Sequence, residues 1–301
     1  MKTCFIINPH AGSANEAEAL RNLLEEHDIL CVETKKEGDA RRLAIEALEG
    51  DVEMVVAVGG DGTVNEVVNG VMAYEGERIM GIIPMGTGND LARTLRLPTD
   101  PFEALRTIQQ RDLIDLDVIE LEGGGHHRFA ANAVSGGFSG QVNEAMDEDM
   151  KKTWGPLAYL MGTATAVADL QAYQAQIVCD GMSLDAMEVY NVIVANGRTI
   201  GGGKLVAPVA ELSDGRLDLV ITQTADALTI ADMSARLLAG TLLEHHSVIH
   251  HRIEVVEITT TPAMGFNVDG EMITAEKITC TVHPSALQMV VGPEYPHPTR
   301  T

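Results

Sequence analysis

Two glycine-rich loops, each carrying one acid and each following an apolar strand, narrow most sharply what this chain can fold into. Met54–Val58 is a continuous apolar run, the pattern of a strand buried on both faces, and it opens into Gly59-Gly60-Asp61-Gly62-Thr63-Val64-Asn65. Ile79–Ile83 repeats the pattern and opens into Pro84-Met85-Gly86-Thr87-Gly88-Asn89-Asp90. Helices are expected from Val64 to about Tyr74 and from Asn89. Upstream, Thr3–Ile7 reads as a strand that ends at the turn Asn8-Pro9-His10-Ala11-Gly12. Glu16–Glu26 then carries Ala17, Leu20, Leu23 and Leu24 at helical spacing. Ile29–Glu33 reads as a second strand, and Asp39–Leu48 as a helix with Asp39 at its N-cap. Strand and helix in alternation, joined by short glycine-rich turns, predict a doubly wound parallel sheet.

Ligands of such sheets bind at the carboxyl ends of the strands, where both loops lie. Adjacent glycines let the backbone approach an anion with its N–H groups, and the helix that follows adds its positive end. A carboxylate beside a phosphate cradle repels the phosphate unless a cation bridges them, so Asp61 and Asp90 point to Mg²⁺. Neither loop is a Walker A motif, since no Gly-Lys-Ser/Thr follows, and neither matches the GxGxxG of dinucleotide dehydrogenases.

The texture changes near Asp117. Strand-like runs dominate from there: Arg128–Val134, Ala175–Cys179, Val189–Ala195, Leu217–Thr222, Arg252–Thr259, Lys277–Val282 and Gln288–Val291. Helical stretches at about Pro156–Leu170 and Ala227–Leu243 interrupt them. The expected organisation is an α/β domain over residues 1–121 and an antiparallel β-sandwich over 122–301. Lys and Arg number 21 against 44 Asp and Glu, a net charge of −23, which argues against a nucleic-acid partner. No window reaches the 18 apolar residues of a membrane span and no stretch reads as a secretory signal, so a cytoplasmic protein is expected. Cys4, Cys31, Cys179 and Cys280 are scattered and read as structural thiols. His245-His246 and His250-His251 read as an exposed helix end and strand start, not as a metal site.

At the two loops the sequence resembles the diacylglycerol kinase catalytic family, which includes bacterial lipid kinases and sphingosine kinases. Gly59–Thr63 with Asn65 matches its nucleotide motif and Pro84–Asp90 its second loop, while Asn8–Gly12 and Val268-Asp269-Gly270-Glu271 extend the match to both ends of the chain. NAD kinases share the Gly-Gly-Asp-Gly-Thr motif; the second loop together with Asp269-Gly270-Glu271 is more specific to the lipid kinases. The resemblance implies an active site in the cleft between the two domains. It makes Asn8, Pro9, His10, Ala11, Gly12, Thr34, Gly59, Gly60, Asp61, Gly62, Thr63, Val64, Asn65 and Thr87 the ATP contacts. It makes Glu271 the proton acceptor for a lipid hydroxyl, with Asp61 and Asp90 in a magnesium-linked network. It also implies a second metal at the Asp214 side chain and the carbonyls of Glu211 and Arg216. The implied activity is ATP-dependent phosphorylation of a membrane lipid, with diacylglycerol as the default acceptor and peripheral contact with the membrane. Lys151, Lys152, Trp154, Leu157, Tyr159, Leu160 and Met161 offer an interfacial lip. An NAD kinase-like activity and a catalytically silent nucleotide- or lipid-binding regulator are the alternatives.

Overall fold

A computed structural model describes residues 2–137 and 170–297. The proposed lip at 151–161 and most of the helix expected at Pro156–Leu170 lie outside the described residues. The chain forms two compact units: Met1–Leu116 together with Ser285–Thr301, and Asp117–Pro284.

The first unit runs β1 (Thr3–Ile7), α1 (Ala14–Glu26), β2 (Leu30–Glu33), α2 (Asp39–Glu49), β3 (Met54–Gly59), α3 (Asp61–Met72), β4 (Ile79–Pro84), α4 (Asp90–Thr94) and α5 (Pro101–Gln110). Its strands are parallel in the order β2-β1-β3-β4. Every residue of β3 and β4 is buried, as a sheet covered on both faces requires. On one face Ala17, Leu20 and Leu24 of α1 and Ala104, Leu105 and Ile108 of α5 pack against Phe5, Ile7, Val56, Val58 and Ile83. Strand alternation sends Ile6, Val55, Ala57 and Ile82 to the other face, where α2 and α3 bury Ala44, Leu48, Val67 and Val71. Those two helices come so close that a Cβ on Gly70 would meet the Arg41 carbonyl at 2.6 Å.

Several boundaries differ from the sequence expectation, each for a visible reason. Asp39 is the first helical residue rather than the N-cap, which is Gly38 in the left-handed region. Its carboxylate turns back to accept the N–H groups of Lys35 and Lys36. Helix α3 begins at Asp61, three residues before the expected start, so most of the glycine motif is the first helical turn. Helix α5 was not foreseen, although Asp100 caps it by accepting the N–H groups of Phe102 and Glu103 and Pro101 opens it.

The second unit continues with β5 (Leu113–Gly123), which starts in the first unit, then β6 (His126–Ala130), β7 (Ala133–Gly137), β8 (Tyr173–Cys179), β9 (Met182–Ser183), β10 (Met187–Ala195), β11 (Thr199–Ile200), β12 (Lys204–Leu205), β13 (Leu217–Gln223), α6 (Ala227–Ala239), β14 (Val248–Ile253), β15 (Val255–Val268) and β16 (Glu271–Val290). The pairings β14-β13-β10-β7-β15-β16 are antiparallel throughout. Strand β16 ends in the first unit, where Gln288 and Met289 pair in parallel with Ile79 and Met80 of β4. The run expected as one strand over Arg128–Val134 breaks at Ala131 and Asn132, whose N–H groups bind the Asp269 carboxylate instead of a sheet neighbour. Helix α6 ends at Ala239, before the expected Leu243, because Gly240 takes the left-handed conformation. His245, expected to be exposed, is buried, its Nδ1 accepting the Ser247 N–H. The four cysteines are free thiols; burial pushes Cys280 up to about 12 and Cys4 up to about 11.

Phe266 is the largest side chain buried to near completion in the core of this unit. Its ring lies over Gly136, directly opposite in β7, where a Cβ would come within 2.4 Å. Truncation leaves a cavity that neighbouring strands cannot collapse into. Phe266→Ala is expected to cost about 3–5 kcal/mol in urea unfolding, and a loss under about 1 kcal/mol contradicts this packing.

Candidate active site

Three loops meet at the carboxyl ends of the parallel strands because each starts by bonding its neighbour. The Asn8 N–H donates to the Val58 carbonyl at 2.9 Å, Met85 N–H to Gly59 at 2.8 Å, and Thr34 N–H to Ile7 at 2.9 Å. Side chains then tie the loops together. Asn8 Nδ2 donates to Thr63 Oγ1 at 3.0 Å, while Asn8 Oδ1 accepts the His10 N–H at 3.0 Å. The glycines are needed where backbones touch. A Cβ on Gly86 would sit 2.5 Å from the Gly60 Cα, and one on Gly12, at φ +64°, would sit 2.3 Å from the Met85 carbonyl oxygen.

Asp61 joins the two acid-bearing loops. Its Oδ2 accepts the Asn89 N–H and its Oδ1 the Asp90 N–H, both at 2.8 Å. It thereby caps α4 from the first turn of α3. The second loop also closes on itself: Asn89, at φ +51°, accepts the Gly86 N–H at 2.9 Å and donates Nδ2 to the Gly86 carbonyl at 2.7 Å. The acid in the first loop therefore has a structural use, since it organises the second loop's backbone. Burial, and then the charge of Asp90, push the Asp61 carboxyl above its ordinary range, and the N–H bonds from Asp90 and Asn89 only partly offset this.

The geometry fits a divalent cation and a phosphate. Asp61 and Asp90 approach a common point at Gly88, where a Cβ would fall 2.4 Å from Asp61 Oδ2 and 3.5 Å from Asp90 Oδ2. Two carboxylates so placed, one of them desolvated, are relieved by a cation between them. Helix α3 has no side-chain cap, and the space around Gly62 is open, so its first turn presents N–H groups to an anion. Among the expected nucleotide contacts, His10, Gly12, Gly62 and Thr87 are exposed and Asn8, Pro9, Ala11, Gly60 and Asp61 partly so. Thr34, Gly59, Thr63, Val64 and Asn65 are buried beneath them. Asn65 turns inward, its Oδ1 accepting from Asn69 Nδ2 at 2.9 Å.

In the second unit, Glu271 opens β16 after a two-residue turn, Asp269 at φ +45° and Gly270 at φ +107°, which closes the Val268–Glu271 pair. Asp269 anchors that turn. Its carboxylate accepts the N–H groups of Ala131, Asn132 and Ala133 at 2.8, 2.9 and 2.8 Å. Glu271 is half-buried, and its Oε2 accepts from Arg128 Nε at 3.1 Å. Sequence reasoning missed Arg128 because its partner is 143 residues away. The anchoring role of Asp269 carried a readable signal, the Asp-Gly dipeptide between two strand-like runs.

The Asp214 side chain has protein partners. Asp214 Oδ1 accepts the Arg216 N–H at 2.9 Å and Oδ2 pairs with the Arg252 guanidinium. The Gly215 N–H donates to buried Asp117 at 2.7 Å, and the Arg216 side chain pairs with Glu254 at 2.9 Å. Glu211 is exposed. A cation at Asp214 would compete with Arg252 for the carboxylate.

Residues 2–121 match the diacylglycerol kinase catalytic domain, and residues 132–291 the YegS C-terminal NAD kinase beta sandwich-like domain. A protein named "Probable lipid kinase YegS-like" from Xanthomonas euvesicatoria pv. vesicatoria (strain 85-10) is 32% identical over 268 residues, covering 87% of this chain and 86% of its own length. The diacylglycerol kinase of Staphylococcus carnosus (strain TM300) is 32% identical over 238 residues, 79% of this chain and 76% of its own. A solved structure from Bacillus anthracis str. Sterne, provisionally named a diacylglycerol kinase, superposes with a TM-score of 0.83 at 25% identity, covering 98% of this chain and 96% of its own.

The Asp61 environment has a pH signature. With its folded pKa above the ordinary 3.8, the folded chain holds more protons than the unfolded one between those two values. This group's contribution to stability is therefore fully present below 3.8 and is lost as pH rises through the folded pKa. Carboxyl-carbon NMR is expected to place the Asp61 midpoint above 3.8, and added Mg²⁺ to pull it down. A midpoint at or below 3.8 without metal contradicts the buried, Asp90-facing placement.

Proposed function

Because the chain belongs to the diacylglycerol kinase catalytic-domain family, we propose that it transfers the γ-phosphoryl group of ATP to a membrane lipid hydroxyl, converting diacylglycerol to phosphatidic acid. The observation that carries this reading is the pair of glycine loops joined through Asp61, a phosphate cradle with two acids beside it. The N–H groups of the first α3 turn hold the nucleotide's phosphates. Asp61 and Asp90 would hold Mg²⁺ brought in with the nucleotide, which would supply positive charge to neutralise the phosphates. Glu271 takes the proton of the attacking hydroxyl as the lipid oxygen bonds to the γ-phosphorus. The bond from that phosphorus to the β–γ bridging oxygen breaks, and ADP leaves with the electron pair. Arg128 holds the Glu271 carboxylate in position.

The lipid reaches the protein at a membrane surface. With a net charge of −23, attraction to anionic lipid supplies little of that docking. Among the described residues no helix is long and apolar enough to cross a membrane. A second reading, with NAD as acceptor, is favoured by the NAD kinase sandwich-like match over 132–291.

The test incubates γ-labelled ATP with the protein and a panel of diacylglycerol, phosphatidylglycerol, a sphingoid base, a polyprenol and NAD. Label is expected in the diacylglycerol product. Label in NAD overturns the acceptor class, and label in none of them overturns the kinase reading. With the preferred acceptor, Glu271→Gln is expected to lower kcat by about 10²–10⁴ with ATP affinity unchanged. A variant keeping more than about a tenth of the parent kcat removes Glu271 from the role of base.

A further inference from the structure

The β5–β6 hairpin and strand β16 gather a second set of ligand-type side chains that the proposed reaction does not use. Glu122 pairs directly with His127 across the hairpin, and Glu120 with Phe129. Strand alternation puts these four side chains on one face and Arg128, the partner of Glu271, on the other. His283 of β16 reaches Glu120 from the neighbouring strand. His127 Nε2 lies 2.5 Å from Glu120 Oε1, and His283 Nε2 lies 2.5 Å from Glu120 Oε2. Ligand atoms of Glu120, Glu122 and His127 all lie within 4.8 Å of one another. Phe129 orients both imidazoles with edge contacts, 5.1 Å at 74° to His127 and 6.0 Å at 89° to His283.

We propose that Glu120, Glu122, His127 and His283 form a site for a zinc-type divalent cation that ties β6, β5 and β16 together. Two imidazoles beside carboxylates are the donor set of Zn²⁺ and its neighbours, whereas Mg²⁺ and Ca²⁺ take oxygen ligands. Both histidines already aim Nε2 at one carboxylate. Binding needs each ring to carry its proton on Nδ1, the exposed Glu122 to swing inward, and His283, which contacts the other Glu120 oxygen and lies outside the group formed by Glu120, Glu122 and His127, to close in. Ligand atoms around a tetrahedral Zn²⁺ at about 2.0–2.2 Å lie farther apart than the present Glu120–imidazole hydrogen bonds, so the cation would spread those two contacts while drawing Glu122 and His283 toward His127. Burial alone would raise the Glu120 carboxyl, but the bonds from His127 and His283 hold it below its ordinary range, leaving it an anionic acceptor. The cation would bind residues 120, 122 and 127 to residue 283 and so fix the strand that presents Arg128.

The experiment uses the full chain stripped with chelator, with ZnCl₂ as the only addition and no nucleotide. Titration calorimetry is expected to show Zn²⁺ binding at one ion per chain. Tm is expected to rise by about 5 °C at a hundredfold excess over Kd. In a His127→Ala, His283→Ala double variant with native far-UV circular dichroism, affinity is expected to fall at least tenfold and the Tm rise to vanish. Should that variant not fold, Glu122→Gln, a single exposed change, is expected to weaken binding measurably. Overturning results are a parent that binds no Zn²⁺, or variants that bind as the parent does, which places the ion on other groups such as His250 and His251. A Tm rise with Mg²⁺ that the double variant abolishes overturns the assignment to a zinc-type ion.

Discussion

Two hydrogen bonds accepted by one carboxylate organise the first unit's site. Asp61 stands on the first turn of α3 and takes the N–H groups of Asn89 and Asp90, the start of the next helix, one βα unit away. Charge-assisted bonds of this kind are about twice as strong as neutral ones. Here they fix the distance between two loops whose glycine backbones are already in contact at Gly60 and Gly86. The arrangement stores a cost, because the same carboxylate is desolvated and faces Asp90. That cost is what a cation would relieve, so the residue that sets the loop architecture is also the one on which the proposed Mg²⁺ site rests.

The second unit repeats the device. Asp269 sits in a tight turn with positive φ and holds three consecutive N–H groups of residues 131–133. Those bonds interrupt what would otherwise continue as one strand, and they fix the turn that carries Glu271. In each unit an acid of the matched motif is a backbone clamp: Asp61 in the first and Asp269 in the second. Substituting Asp61 would remove the clamp together with its proposed chemistry, so Glu271, whose contact is an ion pair with Arg128, is the better position for separating the two.

Much of this was legible in the sequence where local pattern decides. Strands β3 and β4 announce themselves as unbroken apolar runs, and the loops after them as clustered glycines. What escaped depends on distant partners. The break at Ala131 needs Asp269, the ion pair of Glu271 needs Arg128, and the last residues of β16 join a sheet begun some 200 residues earlier. Helix starts failed for a subtler reason. Gly60, Asp61 and Gly62 read as loop by propensity, yet α3 begins inside them because Val64 N–H already bonds the Gly60 carbonyl. Asp39 deceived in the opposite sense, a good capping residue used to bind the turn before it. The metal expected at Asp214 could not be weighed from sequence, since Arg252 stands beside it only in the fold.

Amide hydrogen exchange at Asn89 and Asp90 tests the Asp61 clamp most directly. In the parent both N–H groups are expected to exchange slowly although they stand at the start of a helix of only five residues. In a folded Asp61→Ala variant both are expected to exchange faster by about tenfold or more, the loss of roughly 1.5–3 kcal/mol per bond to a charged group. The Met85 amide, bonded to the Gly59 carbonyl, is expected to keep its protection. Fast exchange at both positions in the parent, or protection unchanged in the variant, would contradict the claim that this carboxylate joins the two loops.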